Sequence, residues 1–138
     1  MAGENELFGR GRIVMVRRPV DGRWGIRRLF AALTSGTELG LTYDLLSREE
    51  IWVVTFSVQR KTMRILHVDE WGYSLITRVL YGRSLFRVML DKGAMDTLRL
   101  TRGQLRRLVL DGTYEGEWQN AALERGRELY FPEGMRDC

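Results

Sequence analysis

The feature that most limits the fold of this chain is a series of short apolar segments in its middle, spaced too closely for helices to lie between them. The segments span residues 51–58, 63–69, 73–80 and 85–90. The connections between them are three or four residues long and contain the glycines and polar residues of hairpin turns. Strands joined by such turns pair antiparallel. The sequence therefore predicts an antiparallel meander, and its first segment, which is apolar on both faces, is expected to be a central strand of the sheet.

A further strand and a helix are predicted before this meander. Residues 13–16 are a short apolar run followed by Pro19, which favours an edge strand. Residues 24–33 contain apolar side chains at the i, i+3, i+4 and i+7 spacing of one helix face. We expect Asp21 to cap this helix and Gly36 to end it. Residues 34–50 are predicted as a loop with one helical turn near 43–47.

A second helix is predicted after the meander, from several signals that agree. Thr101 and Gln104 have the spacing of a capping box, and Leu100 with Leu105 forms a hydrophobic staple. Gly112 is suited to a left-handed helix end. The fold class that follows is α+β: a meander of about four to five strands with one helix before it and one after it.

The charge of the chain is unevenly distributed. It has 138 residues and a net charge of +4, and 20 of its 22 basic residues are arginine. Residues 1–110 hold 19 basic and 11 acidic side chains, whereas residues 111–138 hold 3 and 7. We therefore divide the chain into one basic domain, residues 1–112, and an acidic C-terminal tail, residues 113–138. The tail is either helical over 117–128 or a segment that orders on a partner.

Arginine-rich surfaces bind nucleic acid through bidentate contacts to phosphate. The candidates for phosphate contact lie in the two predicted helices and in the strands, where alternate-face positions predict one positive sheet face. They are Arg23, Arg27, Arg28, Arg64, Arg78, Arg102, Arg106 and Arg107. If about five of them contact phosphates, the logarithm of the affinity should fall with the logarithm of salt concentration with a slope of about −4 to −5.

Residues suited to catalysis are few. His67 is the only histidine, and in a strand it is expected to pack beside Asp69 or an aromatic ring. A two-metal nuclease would need carboxylates such as Asp21, Asp69, Asp91 and Asp96, each of which also fits a cap or a turn. The only cysteine is the last residue, Cys138, which excludes a disulfide within the chain. We expect no enzyme activity, no cofactor and no metal.

Two further expectations concern exposure and location. Trp52 lies in the most apolar strand and is expected in the core, whereas Trp71 and Tyr81 lie in turns and are expected to contact protein or nucleic-acid bases. The apolar runs are too short to cross a membrane, and the polar N-terminus does not resemble a signal peptide. The chain is therefore expected in the cytoplasm, with no membrane partner.

Five segments of the chain form a recognisable series: PVDGRWGI at 19–26, IWVVTF at 51–56, RILHVDEWGY at 64–73, GRSLF at 82–86 and LTRGQL at 100–105. In this order they resemble the TnpB-type accessory proteins of the IS sixty-six family of bacterial insertion sequences. The resemblance covers roughly residues 13–114. Where the family has a basic pair after its Trp-Gly turn, this chain has Arg78 followed by Val79.

The resemblance implies a small protein encoded beside a separate transposase, with no catalytic residues of its own. The expected function is that of a non-enzymatic accessory factor for DNA transposition that binds duplex DNA, the transposase of the element, or both. A protein-interaction subunit without DNA contact is the main alternative. A metal-dependent nuclease is the third.

Overall fold

A computed structural model describes residues 10–113, and the helices and strands named below all lie within that range. The strands are β1 (Arg12–Val16), β2 (Ile51–Phe56), β3 (Thr62–Val68), β4 (Tyr73–Val79) and β5 (Thr97–Leu100). The α-helices are α1 (Ile26–Ser35) and α2 (Arg102–Asp111), and a single 3-10 turn covers Leu45–Ser47. The predicted α+β class is confirmed. The tail predicted from 113 onward lies, apart from Thr113, outside the described residues.

The sheet is centred on β2, as its continuous apolar sequence predicted. The strand order is β4-β3-β2-β1-β5, and all six residues of β2 are buried. The meander is confirmed for β2, β3 and β4, which pair antiparallel in sequence order. β1 pairs parallel with β2, because α1 and the following loop carry the chain back to the same end of the sheet. The sheet is therefore mixed, and mostly antiparallel.

β1 is not the edge strand that Pro19 suggested. It lies between β2 and β5, and its last four residues are all buried. Pro19 comes three residues after the strand ends, so it removes no hydrogen bond from the ladder. A strand that is apolar at successive positions is covered on both faces, and this is the pattern of an interior strand.

The predicted strand at 85–90 is wrong, and β5 was not predicted. Residues 85–90 form only an isolated bridge, Arg87 with Thr113. Every second residue of this segment is nevertheless buried, namely Phe86, Val88 and Leu90. These side chains point at one face of the sheet from a segment that lies across it, not within it. The fifth place in the sheet is taken by β5, which pairs antiparallel with β1.

The two helices begin differently. Thr101 caps α2 as predicted: its hydroxyl accepts from the Gln104 N–H, the Gln104 side chain accepts from the Thr101 N–H, and Gly112 ends the helix at φ +73°. Asp21 does not cap α1, whose N-cap is Gly25 with no side-chain bond. Asp21 instead accepts from the N–H of Arg23 and closes the turn before the helix.

The two helices cover opposite faces of the sheet. On one face, Leu29 and Leu33 of α1 pack with Val14 and Val53 of the sheet. On the other, Leu105 and Leu108 of α2, together with Phe86 of the segment 85–90, form a second core. Neighbouring residues of one strand point to opposite faces, so these are separate layers. We refer to them as the α1 face and the α2 face.

Candidate nucleic-acid interface

On the α1 face, two of the predicted arginines are bound to acidic side chains. The guanidinium of Arg23 donates to both carboxylate oxygens of Asp21, at 3.1 and 2.9 Å. Arg28 donates to both oxygens of Glu38, at 3.1 and 2.8 Å, and lies 3.9 Å from the centroid of the Trp24 ring. Each guanidinium already makes the forked contact that a phosphate would need.

The same contacts hold the two carboxylates in the ionised form. The side-chain hydrogen bonds from Arg23, with a further bond from its backbone N–H, lower the pKa of Asp21 from 3.8 to about 2. The bonds from Arg28 lower the pKa of Glu38 below its usual value. Both acids are therefore charged at neutral pH, and the two arginines next to them add no net positive charge to this face.

Arg64 is a third α1-face arginine, and it serves the fold. Its two terminal nitrogens donate to the backbone carbonyls of Trp24 and Gly22. It thereby ties β3 to the turn that precedes α1. Arg27 is the only one of the four predicted α1-face arginines that is exposed and makes no polar contact within residues 10–113.

On the α2 face the arginines are more accessible. Arg106 is exposed and makes no polar contact with any described residue. Arg107 is also exposed, and its nearest acidic oxygen, on Asp111, is 3.9 Å away. Such a long i,i+4 pair between exposed side chains contributes little and is readily exchanged. Arg102 differs, because it donates at 2.5 Å to the backbone carbonyl of Gly11 and holds the chain before β1.

Arg78 joins this group from β4. It pairs with Met63, whose side chain is in the α2-face core, so Arg78 points to the same face as α2. It lines a cleft of about 220 Å³ together with the end of α2, including Asp111 and Gly112. Arg78, Arg106 and Arg107 define what we call the α2 surface.

The eight predicted arginines therefore do not form one surface. Four belong to the α1 face and four to the α2 face, with the sheet between them. The expectation of a single positive sheet face is wrong. Arg78 lies opposite Met63, whose side chain is on the α2 face, whereas Arg64 is the neighbour of Met63 in β3 and therefore points to the α1 face.

Two further arginines near the α2 surface were not among the residues predicted to contact phosphate. Arg87 lines the same cleft as Arg78, and its backbone N–H donates to the carbonyl of Gly112. Arg83 is exposed in the turn after β4. The wrong strand assignment at 85–90 hid the proximity of Arg87 to α2, because a strand there would have placed it within the sheet.

The carboxylates and the histidine have local structural contacts. Asp69 accepts from the N–H groups of Trp71 and Gly72, Asp91 from that of Gly93, and Asp96 from Arg17. Among residues 10–113, no group of three or more histidine, cysteine, aspartate or glutamate residues is placed to hold a metal ion. His67 stacks on Trp52 at 3.7 Å, as the aromatic alternative predicted, and bonds to Glu50 at 2.6 Å in place of Asp69.

The predicted exposure of three aromatic side chains is confirmed. Trp52 is buried, whereas Trp71 is 88% and Tyr81 92% exposed. Trp71 borders a cleft of about 300 Å³ that also includes Arg48 and Tyr73.

Comparisons with protein-family models, with curated proteins and with solved structures gave no match to this chain. In the described part of the chain, neither helix has the length and apolar character needed to span a membrane.

Proposed function

We propose that this protein is a non-enzymatic accessory factor for DNA transposition that binds duplex DNA through the α2 surface. The observation that carries the DNA-binding part is the state of the arginines: Arg78, Arg106 and Arg107 are exposed, and within residues 10–113 the one ion pair among them is that of Arg107 with Asp111, at 3.9 Å. A guanidinium without a close partner binds phosphate with no competing ion pair to break. The resemblance in sequence supports the transposition context.

The mechanism is positioning of DNA by phosphate contacts. Arg106 and Arg107 project from the solvent side of α2, and Arg78 extends the surface to the edge of the sheet. Contacts to phosphate fix the orientation of a duplex without reading its sequence. Three such contacts predict a slope of about −3 for log affinity against log salt, because each neutralised phosphate releases its counterions.

Two triple variants with the same change in charge test this proposal. One replaces Arg78, Arg106 and Arg107 with glutamine, and the matched control replaces Arg23, Arg27 and Arg28. Fluorescence anisotropy on a labelled duplex, at several salt concentrations, measures the slope. We expect the α2-surface variant to flatten it by about 2 to 3 and the α1-face control by no more than about 1. Equal effects, or no binding by the natural chain at low salt, would reject the interface.

The transposition context has its own test in the genome. Adjacent genes for a transposase, together with terminal inverted repeats, are expected around the gene. Their absence would leave DNA binding to stand alone and would contradict the accessory role in transposition.

A protein-interaction subunit is the second candidate, and the exposure of Trp71 and Tyr81 favours it. Large aromatic side chains in exposed turns are common anchors of protein interfaces. This candidate predicts that the transposase co-purifies with the chain and that deletion of residues 113–138 abolishes the association. It also predicts a flat response of any residual DNA binding to salt.

A further inference from the structure

β4 is an edge strand without the features that usually prevent edge strands from pairing. It forms one edge of the sheet and is in continuous register with β3 over all seven residues, so it contains no bulge. Its sequence, Tyr73–Val79, has no proline, glycine or acid, and its one charge is Arg78. Natural edges are normally protected by such residues or by bulges. The opposite edge strand, β5, has only four residues.

The hydrogen bonds at the two ends of the β3–β4 ladder show which groups of β4 are free. Leu80 donates to Lys61, and Asp69 donates to Gly72. Bonded and non-bonded pairs alternate along an antiparallel ladder, and both ends give the same alternation. The residues whose backbone N–H and C=O point away from β3 are therefore Tyr73, Leu75, Thr77 and Val79. Within residues 10–113 these groups have no hydrogen-bond partner.

We propose that β4 pairs antiparallel with β4 of a second copy of this chain, about a two-fold axis at Ile76. In this register Tyr73 lies opposite the partner's Val79, and Leu75 lies opposite the partner's Thr77. All four outward-pointing residues then form bonded pairs, and four pairs with two bonds each give eight hydrogen bonds. A shift of the register by one residue would leave these groups facing groups that point away from them.

The side chains fit the same register. Ile76 lies opposite the partner's Ile76 in a non-bonded pair, where the Cα atoms are only about 4.5 Å apart and the side chains are in contact. Arg78 lies opposite the partner's Ser74. The two arginines are four residues apart along the strands, roughly 14 Å, so like charges do not face each other. Directly opposed like charges would destabilise the pairing.

The α1 face of β4 is also complementary to itself. Tyr73 is covered by Phe30 of α1, with the rings stacked at 3.9 Å. Val79, at the other end of the strand on the same face, is uncovered and 57% exposed. The two-fold axis brings the uncovered end of one copy against the helix-covered end of the other. Val79 then contacts the partner's Tyr73, an aromatic and β-branched pair that is favourable across strands.

This dimer enlarges the α2 surface. Residues opposite each other in an antiparallel pair point to the same face, so both α2 helices lie on one side of a continuous ten-stranded sheet. Arg78, Arg106 and Arg107 of both copies then face one duplex. This consequence rests on the proposed function, whereas the dimer itself does not.

Molecular mass in the absence of DNA tests the dimer directly. Sedimentation equilibrium of the full chain should give a mass that rises with concentration to twice 16.1 kDa. Ile76→Lys and Ile76→Glu place like charges across the axis, and each should be monomeric. Because Ile76 is 44% exposed, neither change disturbs the core. An equal mixture of the two should regain the mass of a dimer. A monomeric natural chain, or dimers that persist in Ile76→Lys, would overturn the proposal.

A disulfide test checks the register, even if the charged variants fail to fold. In a chain carrying Cys138→Ser, Ile76→Cys should cross-link on mild oxidation, because its Cα separation lies within the disulfide range. Val79→Cys is the matched control, since it faces the partner's Tyr73 and should remain unlinked. Cross-linking of Val79→Cys with none at residue 76 would reject the register.

DNA binding then separates the two proposals. Ile76→Lys adds one positive charge to the α2 face, so it should bind DNA with a slope of about −3 to −4, still well below the slope of about −5 to −6 expected for the six arginines of the dimer. If the dimer forms but the slope is the same for both, the α2 surface is rejected and the dimer stands. If the natural chain is monomeric and its slope still depends on Arg78, Arg106 and Arg107, the dimer is rejected and the interface stands.

Discussion

The two faces of the sheet carry the same number of predicted arginines but use them in different ways. On the α1 face, Arg23 and Arg28 are bound to carboxylates and Arg64 to backbone carbonyls. On the α2 face, Arg106 has no polar contact with the described residues, and Arg107 has one at 3.9 Å. The difference shows that the placement of acidic groups, more than the number of arginines, decides which surface can attract a polyanion.

The cause of this difference is local. Asp21 lies two residues before Arg23 and reaches it within one turn, and Glu38 lies just after the end of α1, next to Arg28. The sequence of α2 contains one acid, Asp111, at its last position. A net charge for the whole domain averages over these arrangements and does not distinguish the two faces.

The largest effect that tests this comparison is expected in the packing of the α2 face. α1 alone supplies the helix layer on its face, whereas the α2 face is covered by α2 and the segment 85–90. Phe86 is fully buried there, with its ring centroid 5.4 Å from that of Phe56. We expect Phe86→Ala to lower the free energy of unfolding by about 3 to 5 kcal/mol. Urea denaturation followed by tryptophan fluorescence measures it.

Leu33→Ala, in α1, provides the reference for the opposite face, with an expected loss of about 2 to 5 kcal/mol. Leu110→Ala, on the exposed side of α2, should change stability by less than about 0.5 kcal/mol. A loss below about 1 kcal/mol for Phe86→Ala would mean that the segment 85–90 is not a structural part of the α2 face.

The same segment shows how far the sequence determines the fold. Residues 85–90 were predicted as a strand; no strand forms there, although the alternate side chains Phe86, Val88 and Leu90 are buried. Period-two alternation does not state whether the backbone bonds to a neighbouring strand, because an extended segment lying on a sheet buries alternate residues in the same way. β5 was missed because Thr97–Leu100 has only four residues, too few to show the alternation of apolar and polar side chains that indicates a strand.

The sequence predicted which arginines of a helix are exposed, but not which face of the sheet that helix covers. The helical period placed Arg106 and Arg107 on the solvent side of α2, and the structure agrees. Which face of the sheet each helix covers depends on the parallel pairing of β1 with β2, a contact between distant segments. No local pattern encodes that pairing, so Arg23 and Arg106 seemed to belong to one surface.

A smaller effect is expected for Arg64, and it tests the assignment of this residue to the fold. Arg64→Gln removes the donors to the carbonyls of Gly22 and Trp24, and hydrogen bonds from a charged donor contribute about 1.5 to 3 kcal/mol. We expect a loss of this size in urea denaturation, with the salt slope of DNA binding unchanged. If Arg64→Gln instead has the stability of the natural chain and a flatter salt slope, Arg64 contacts phosphate, and the arginines of the α1 face also take part in DNA binding.

The smallest effect concerns the ion pair of Asp21 with Arg23, and it depends on pH. The pKa of Asp21 is lowered to about 2 in the folded chain, mainly by the side-chain bonds from Arg23. A carboxyl with a lowered pKa stabilises the fold above its unfolded value, near 4, and that contribution is lost as the pH falls toward 2. The stability difference between the natural chain and Arg23→Gln should therefore shrink over this interval.

Carboxyl-carbon NMR measures the pKa itself. In Arg23→Gln the pKa of Asp21 should rise only part of the way to its usual value, because the backbone N–H of residue 23 still donates to the carboxylate. Arg106→Gln, on the α2 face, serves as the control and should leave the pKa of Asp21 in place. If Asp21 titrates near 4 in the natural chain, Arg23 is not held by it in solution. Arg23 would then be a second arginine on the α1 face, beside Arg27, that is available to bind a phosphate. Only Arg28 and Arg64 would still distinguish the α1 face, as arginines bound within the protein.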